Sequence, residues 1–408
     1  MKRKMLVVND FPIYPPKFGG QFRLYYLYKN LSRWFDITYL CFSKDRKPVE
    51  FELSKDFREI RIPKSRIHRG VDWLFEMIFG KALDDIIAMF ICGYDKRMEN
   101  AVKSHASNSD IVVASHPYMY PVIKKYTENK FLIYEALNVE YVLKKAILGK
   151  GLFKRFLYTH VKRIEWEVIN ESDLIFTVSD IDRSKMAEVY NVTGSKIYLS
   201  PNGVDISAFK VLYENNNLVK EKVKKQHIAI FLGSAHPPNV EAVMNIIDVI
   251  APRMKDIYFL ICGSICWLFG KKKVGKNVGL ISSVSEEEKL ELYRISDVGL
   301  NPMQSGSGTN IKMLDYMAAG LPVIATPVGA RGLDIENYED ALICDVSEFP
   351  EKIREVLDNR ELYNKLSYNG RRLVEEKYDW EKIAEGMAKI LEEKIEERGD
   401  IGNPNLKI

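Results

Sequence analysis

The chain has 408 residues, enough for two or three domains with cores of their own. Hydrophobic residues make up 46% and charged residues 28%, with a net charge of +4, the balance of a water-soluble globular protein. That balance excludes a membrane-spanning chain, since even the most apolar stretch, 72–93, is broken by Glu76, Lys81, Asp84 and Asp85.

Taken in chain order, short apolar runs alternate with helical patterns. "KMLVV" (4–8), "ITYLC" (37–41), "DIVVA" (110–114), "FLIYE" (131–135), "DLIFTVS" (173–179) and "KIYLS" (196–200) predict buried parallel strands. The basic start "MKRKMLVVND" has too short an apolar run for a signal peptide and reads as the first strand. "GQFRLYYLYKNLSRWF" and "RFLYTHVKRIEWEVINES" carry helical spacing between them. The pattern then restarts at 227–233, 257–263, 297–303, 321–327 and 341–346, with helices expected at 238–250, 285–295 and 309–319. The Asn- and Lys-rich stretch 201–226 reads as a linker. The expected fold class is α/β, with two Rossmann-like doubly wound domains facing across a cleft. The expected boundaries are 1–203, 204–380 and a C-terminal helical segment 381–408 that crosses back to the first domain.

Cys41, Cys92, Cys262, Cys266 and Cys344 sit in apolar runs and suit buried thiols in a reducing compartment. Cys262 and Cys266 lack the second pair that would complete a zinc site. Charge is uneven: residues 1–203 hold 33 Lys and Arg against 24 Asp and Glu, and the remainder 27 against 32. A basic first half suggests an anionic partner; solvated surface is the plainer explanation.

"DVGLNPMQSGSGTNIKMLDYMAAG" (297–320) reads as strand, small-residue loop and helix. Gly306 and Gly308 permit close approach of a ligand, and free N–H groups at Thr309, Asn310 and Ile311 face anionic oxygens. Lys312 adds positive charge in the first turn. Asp315, a carboxylate sharing a face with apolar residues, needs a partner; sugar hydroxyls would serve. The pattern describes a nucleotide-sugar or dinucleotide site. A plain strand–turn–helix, with Thr309 as N-cap and Gly320 past the C-terminus, is the alternative.

"GSGTNIKMLDYMAAGLPVIATPVGARGL" closely resembles the donor segment of family-4 retaining glycosyltransferases (glycosyl transferases group 1), which have the GT-B fold. "PPKFGGQFR" (15–23), "YEALNVEYV" (134–142), "DLIFTVSDID" (173–182), "SPNGVD" (200–205) and "FLGSAHPPNVEAV" (231–243) resemble further family motifs, in the family's order. The resemblance spans most of the chain except roughly 45–105. It implies that Asp315 meets the ribose as the second acid of an E-x7-E pair. The first acid is replaced by Ser307, which leaves the sugar contact to Ser307, Thr309, Asn310 or backbone N–H groups. The usual diphosphate-clamping Arg and Lys are also missing; Ser234, His236, Lys312 and Arg331 are what remains nearby.

In the first half, Gly19, Gly20 and Arg23 form the expected phosphate or acceptor loop. The resemblance places His116 in the cleft as a proton-positioning or hydrogen-bonding residue, and so, with Lys312, as the catalytic pair. A surface-loop histidine is the plainer reading. Glu135, Asn138 and Glu140 are acceptor-side candidates. The D-x-D of "SDID" (179–182) reads as a capped helix start with Ser179 as N-cap, and no metal site is expected.

Two stretches bear on partners. Residues 144–163 interleave Lys and Arg with Ile147, Leu148, Leu152, Phe153, Phe156 and Leu157, and 71–80 carries Trp73, Leu74, Phe75, Met77, Ile78 and Phe79. Both suit an anionic membrane surface, or else core packing with a solvated basic face. No nucleic-acid recognition module is visible. The resulting expectation is a metal-independent, retaining glycosyltransferase with no cofactor beyond a nucleotide-diphosphate sugar as co-substrate. Its acceptor is a glycan or lipid-linked glycan. It is expected in the cytoplasm, peripherally on the inner face of the cell membrane. A GT-B nucleotide-sugar epimerase or hydrolase, and a non-catalytic nucleotide-sugar-binding module, are the alternatives.

Overall fold

The computed structural model describes residues 2–79, 83–210, 226–270, 272–306 and 308–402. The chain divides into two units, Met1–Pro201 with Ile383–Ile408, and Asn202–Lys382.

The first unit is built on an eight-stranded sheet. Its strands are β1 (Arg3–Asn9), β2 (Phe35–Ser43), β3 (Val49–Ser54), β4 (Phe57–Pro63), β5 (Ile111–Ser115), β6 (Phe131–Ala136), β7 (Leu174–Thr177) and β8 (Ile197–Leu199). They lie in the order β3-β4-β2-β1-β5-β6-β7-β8. All neighbours pair in parallel except β3, which runs antiparallel to β4. The β3/β4 hairpin was not anticipated. Polar residues interrupt both "VEFELS" and "FREIRIP", so neither is an apolar run, although β4 buries four of its seven residues. The C-terminal segment packs within this unit: Arg398 donates to Lys130 O and Asp173 Oδ2, both at 2.7 Å.

The second unit holds β9 (His227–Leu232), β10 (Ile257–Cys262), β11 (Val278–Ile281), β12 (Val298–Asn301), β13 (Val323–Ala325) and β14 (Leu342–Ile343). The order is β11-β10-β9-β12-β13-β14, parallel throughout. Alternate residues of β9 and β10 enter two cores: Ala229, Phe231, Phe259 and Ile261 in one, Ile230, Leu260 and Cys262 in the other. A sheet covered on both faces explains why its strands read as continuous apolar runs. β11 was not predicted: only Val278 of its four residues is fully buried, so no buried apolar run marks it.

All five cysteines are free and buried. No helix among the described residues is long and apolar enough to cross a membrane. Most of the expected linker, 211–225, lies outside the described residues.

Candidate functional site

In a doubly wound sheet, ligands bind beyond the carboxyl ends of the strands where the winding reverses. In the second unit that point lies between the neighbours β9 and β12. The loop carrying Ser234 leaves β9 there, and the loop carrying Gly306 and Gly308 leaves β12. Gly306 (φ 118°) and Gly308 (φ 72°) adopt backbone conformations that a side chain would strain. The helix Ile311–Ala318 follows. Its N-cap, Asn310, makes no side-chain cap bond, and its first turn holds no acid. Neither the N-cap side chain nor an acid of the first turn therefore answers the positive end of this helix.

Lys312 stands beside it. Its Nζ donates to Asn239 Oδ1 at 2.7 Å and lies 4.2 Å from the centre of the Phe231 ring. No carboxylate pairs with it among the described residues, and burial pulls its pKa down to about 7. Asn239 in turn donates to Ser234 O at 2.9 Å, which ties the two loops together. Thr309 Oγ1 is buried with no partner among the described residues. Asn310 spends its amide nitrogen on Gly329 O (2.9 Å), and Arg331 donates to Gly308 O (3.0 Å), so both brace the glycine loop. Ser307 lies outside the described residues. Thr309 is not the N-cap, whereas Gly320 does follow the helix at φ 73°.

Asp315 has found protein partners. Its Oδ2 accepts from Tyr293 Oη at 3.2 Å and lies 3.5 Å from Lys289 Nζ, both on the helix Glu286–Ile295. Burial raises the Asp315 pKa, against the opposing pull of Lys289. Burial also works against the Lys289 charge, but Asp315 and Glu286 outweigh it and keep the ammonium protonated.

In the first unit the winding reverses between β1 and β5. Asp10 follows β1, His116 follows β5, and Glu140 opens the helix Glu140–Leu148 after β6. His116 is nearly buried at φ 67°, a backbone conformation uncommon outside glycine. Its Nδ1 is 3.3 Å from Asn9 Oδ1 and its Nε2 is 3.8 Å from Glu140 Oε1. Glu140 accepts from Tyr118 Oη at 2.5 Å and from Asn138 Nδ2 at 3.3 Å. Asp10 Oδ1 is buried with no partner among the described residues, and burial pushes the Asp10 carboxyl up to about 6 in spite of His116. The structure thus gathers His116, Asn138 and Glu140 and adds Asp10. The sequence reading missed Asp10, although its place directly after the first strand was a usable signal. Asn239 was missed too; it sits within the quoted motif 231–243.

Two expectations are corrected. Arg23 and Glu135 do not line a ligand site: their side chains are 1% and 0% exposed, and Arg23 Nε lies 3.3 Å from Glu135 Oε1. Arg23 also donates to Pro201 O and Ser200 Oγ, while Tyr28 Oη donates to Glu135 Oε2 at 2.6 Å. One turn into a helix, Arg23 points to the core, where a buried carboxylate needs it. Gly19 and Gly20 begin the helix Gly19–Leu31; a Cβ on Gly20 would meet only ordinary contacts at 3.7 Å. The chain's own packing does not demand glycine at that position. Ser179 caps the helix Asp180–Tyr190, as read from "SDID". Among the described residues no group of three His, Cys, Asp or Glu could hold a metal.

Two parallel doubly wound units with sites of this kind define the GT-B architecture of glycosyltransferases. Residues 226–359, which carry the glycine loop, match the family model of glycosyl transferases group 1. An uncharacterized glycosyltransferase of Methanocaldococcus jannaschii is 25% identical, over 70% of this chain and 75% of its own. Sucrose-phosphate synthase from Thermosynechococcus elongatus shares the fold at TM-score 0.71 and 15% identity, covering 97% of this chain and 100% of that one. Anabaena Alr3699/HepE in complex with UDP-glucose does so at TM-score 0.66 and 10% identity, covering 96% and 99%. The fold of this chain is therefore GT-B, and its second unit carries the stretch that matches glycosyl transferases group 1.

Proposed function

We propose that the protein transfers a sugar from a nucleotide-diphosphate sugar to a hydroxyl of a glycan or lipid-linked glycan, with retention of configuration and without a metal. The observation that carries this reading is Lys312. A half-buried lysine with no carboxylate partner among the described residues, beside a helix whose first turn holds no acid, is two positive sources awaiting one anion. A diphosphate supplies that anion. UDP-glucose in the structurally similar Anabaena protein favours a nucleotide sugar as its bearer.

In the proposed reaction the bond from the anomeric carbon to the diphosphate breaks as negative charge grows on the leaving oxygen. The helix N-terminus and Lys312 stabilise that charge, doing what a divalent cation would otherwise do. The acceptor hydroxyl attacks the same face, and its proton passes to the departing phosphate oxygen. Asp315 serves the ribose; Thr309, with its unpartnered hydroxyl, serves the sugar. Asp10, His116, Asn138 and Glu140 serve the acceptor or its proton.

The test is turnover of a panel of nucleotide sugars with and without acceptors, with the anomer of the product read by NMR. Transfer with a retained anomer supports the reading. Donor consumption at full rate without any acceptor would make it an epimerase or hydrolase. Tight donor binding with no turnover on any acceptor would make it a binding module.

A further inference from the structure

The helix Arg66–Phe79 is apolar on two faces. Val71, Phe75 and Phe79, spaced one turn apart, pack against the core of the first unit. On the other side Trp73, Met77 and Ile78 are 65%, 61% and 60% exposed, with Leu74 beside them at 41%. Its apolar arc is wider than the stripe that faces the core, and no described residue covers the outer part, although Arg66, Arg69, Asp72 and Glu76 keep one sector polar. It does not stand alone. Phe153 packs on Phe75 and stacks on Phe79 with ring centres 5.7 Å apart, which joins this helix to the start of the helix Leu152–Glu171. There Leu152 is 88% exposed, and Phe153 and Phe156 are more than half exposed. The result is one contiguous ridge of large apolar and aromatic side chains on two helices, larger than scattered surface residues explain.

The exposed charge around the ridge is mostly positive. Between Glu140 and Glu165 the chain carries Lys144, Lys145, Lys150, Lys154, Arg155, Lys162 and Arg163 and no acid. Lys145, Lys150 and Arg155 are exposed, as are Arg66 and Arg69 on the other helix. Glu76 is the one exposed acid of that helix. A second copy of this chain laid symmetrically on the ridge would bring these cations against their own kind. An anionic bilayer instead answers both features, with headgroups for the basic rim and acyl chains for the aromatic crest. We propose that the paired helices Arg66–Phe79 and Leu152–Glu171 form a docking surface for an anionic lipid bilayer, with Trp73, Met77, Ile78, Leu152 and Phe156 entering its interfacial layer. The surface is separate from the residues proposed for transfer.

The experiment is co-sedimentation of the full chain with vesicles of phosphatidylcholine alone or mixed with phosphatidylglycerol, at low and high salt. Expected is pelleting with the anionic vesicles that weakens in salt yet leaves a residue, because the apolar part is not screened. Trp73→Ser/Met77→Ser should lower the bound fraction about tenfold, and Lys154→Glu/Arg155→Glu should abolish the lipid preference. Thermal melting of both variants checks that they fold; should the first not fold, Leu152→Ser with Phe156→Ser takes its place. Equal pelleting with both lipids, or no loss in a folded crest variant, overturns the proposal. So does a concentration-dependent dimer, seen without lipid and broken by the crest variant, which would give the ridge to a second copy. Nucleotide-sugar binding read on the same variants is expected to be intact, so a failure here leaves the transferase reading standing.

Discussion

Lys312 Nζ donates to Asn239 Oδ1 at 2.7 Å, and that neutral amide is the nearest answer the described residues give to its charge. Burial alone holds its pKa near 7, well below the ordinary lysine range. A diphosphate arriving beside it will raise that value, so donor binding above pH 7 should take up a proton. Affinity should then fall as pH rises further. Calorimetry at pH 8 in buffers of different ionisation enthalpy measures the uptake. In Lys312→Met it should vanish, with affinity down about tenfold or more, the loss of a charge-assisted hydrogen bond of about 1.5–3 kcal/mol. The stability sign runs the other way from an ion-paired lysine. The folded pKa lies below the unfolded one, so the unfolded state holds more protons between pH 7 and the ordinary lysine range, and stability rises across it.

Asp315→Asn should weaken nucleotide-sugar binding by about 1.5–3 kcal/mol if the carboxylate takes the ribose hydroxyls. The contact with Lys289 at 3.5 Å sets the control. Lys289→Met breaks the same helix-to-helix pair without touching the ribose, and should cost less affinity. Equal losses in titrations of the two variants would place Asp315 in the scaffold.

Activity should persist in EDTA, because Lys312 and the start of the helix Ile311–Ala318 supply the positive charge at the diphosphate. Loss of turnover in EDTA that Mn²⁺ or Mg²⁺ restores would contradict this chemistry.

Asp10→Asn should slow turnover while leaving donor affinity nearly unchanged, since Asp10 belongs to the first unit's cluster with His116. It should also stabilise the protein at neutral pH. The folded carboxyl titrates near 6, above its unfolded value of 3.8, so its burial is harmless below pH 4 and costs stability as pH rises through 6. Melting temperatures of the variant and the parent should converge near pH 4 and separate by a few degrees at pH 7.5. A variant less stable at every pH would refute the assignment of a carboxylate whose burial outweighs its partners.

Removing one member of the Arg23–Glu135 pair strands a buried charge. Arg23→Met or Glu135→Gln should each cost about 3–5 kcal/mol in denaturant melts. The double variant Arg23→Met/Glu135→Met should cost less than the two losses added together. Additive losses would mean that the two groups do not answer each other.

The strands of both parallel sheets were legible because residues buried on two faces must be apolar in sequence, whatever the neighbours are. The glycine loop was legible because its chemistry is local: two glycines, a helix start, Lys312 and Asp315 fall within ten residues. The hairpin β3/β4 was lost because charged residues interrupt both strands, so neither is a continuous apolar run. Arg23 was misread for a different reason. Its partner lies 112 residues away, and nothing in "GGQFR" tells an arginine aimed at a phosphate from one aimed at the core.

The sequence by itself determined the two α/β units, the order of most of their strands in the chain, and the glycine loop at the end of β12. These follow from backbone propensity and from burial patterns that repeat within a few residues. Tertiary structure alone decided which charges are answered within the protein. Arg23 and Glu135 satisfy each other, Asp315 leans on Lys289 and Tyr293, and Lys312 and Asp10 have no opposite charge in contact among the described residues. Pairing depends on distances of a few ångströms between groups far apart in the chain. Only the winding of the sheets sets those distances, by bringing the ends of β1, β5 and β6, and of β9 and β12, side by side.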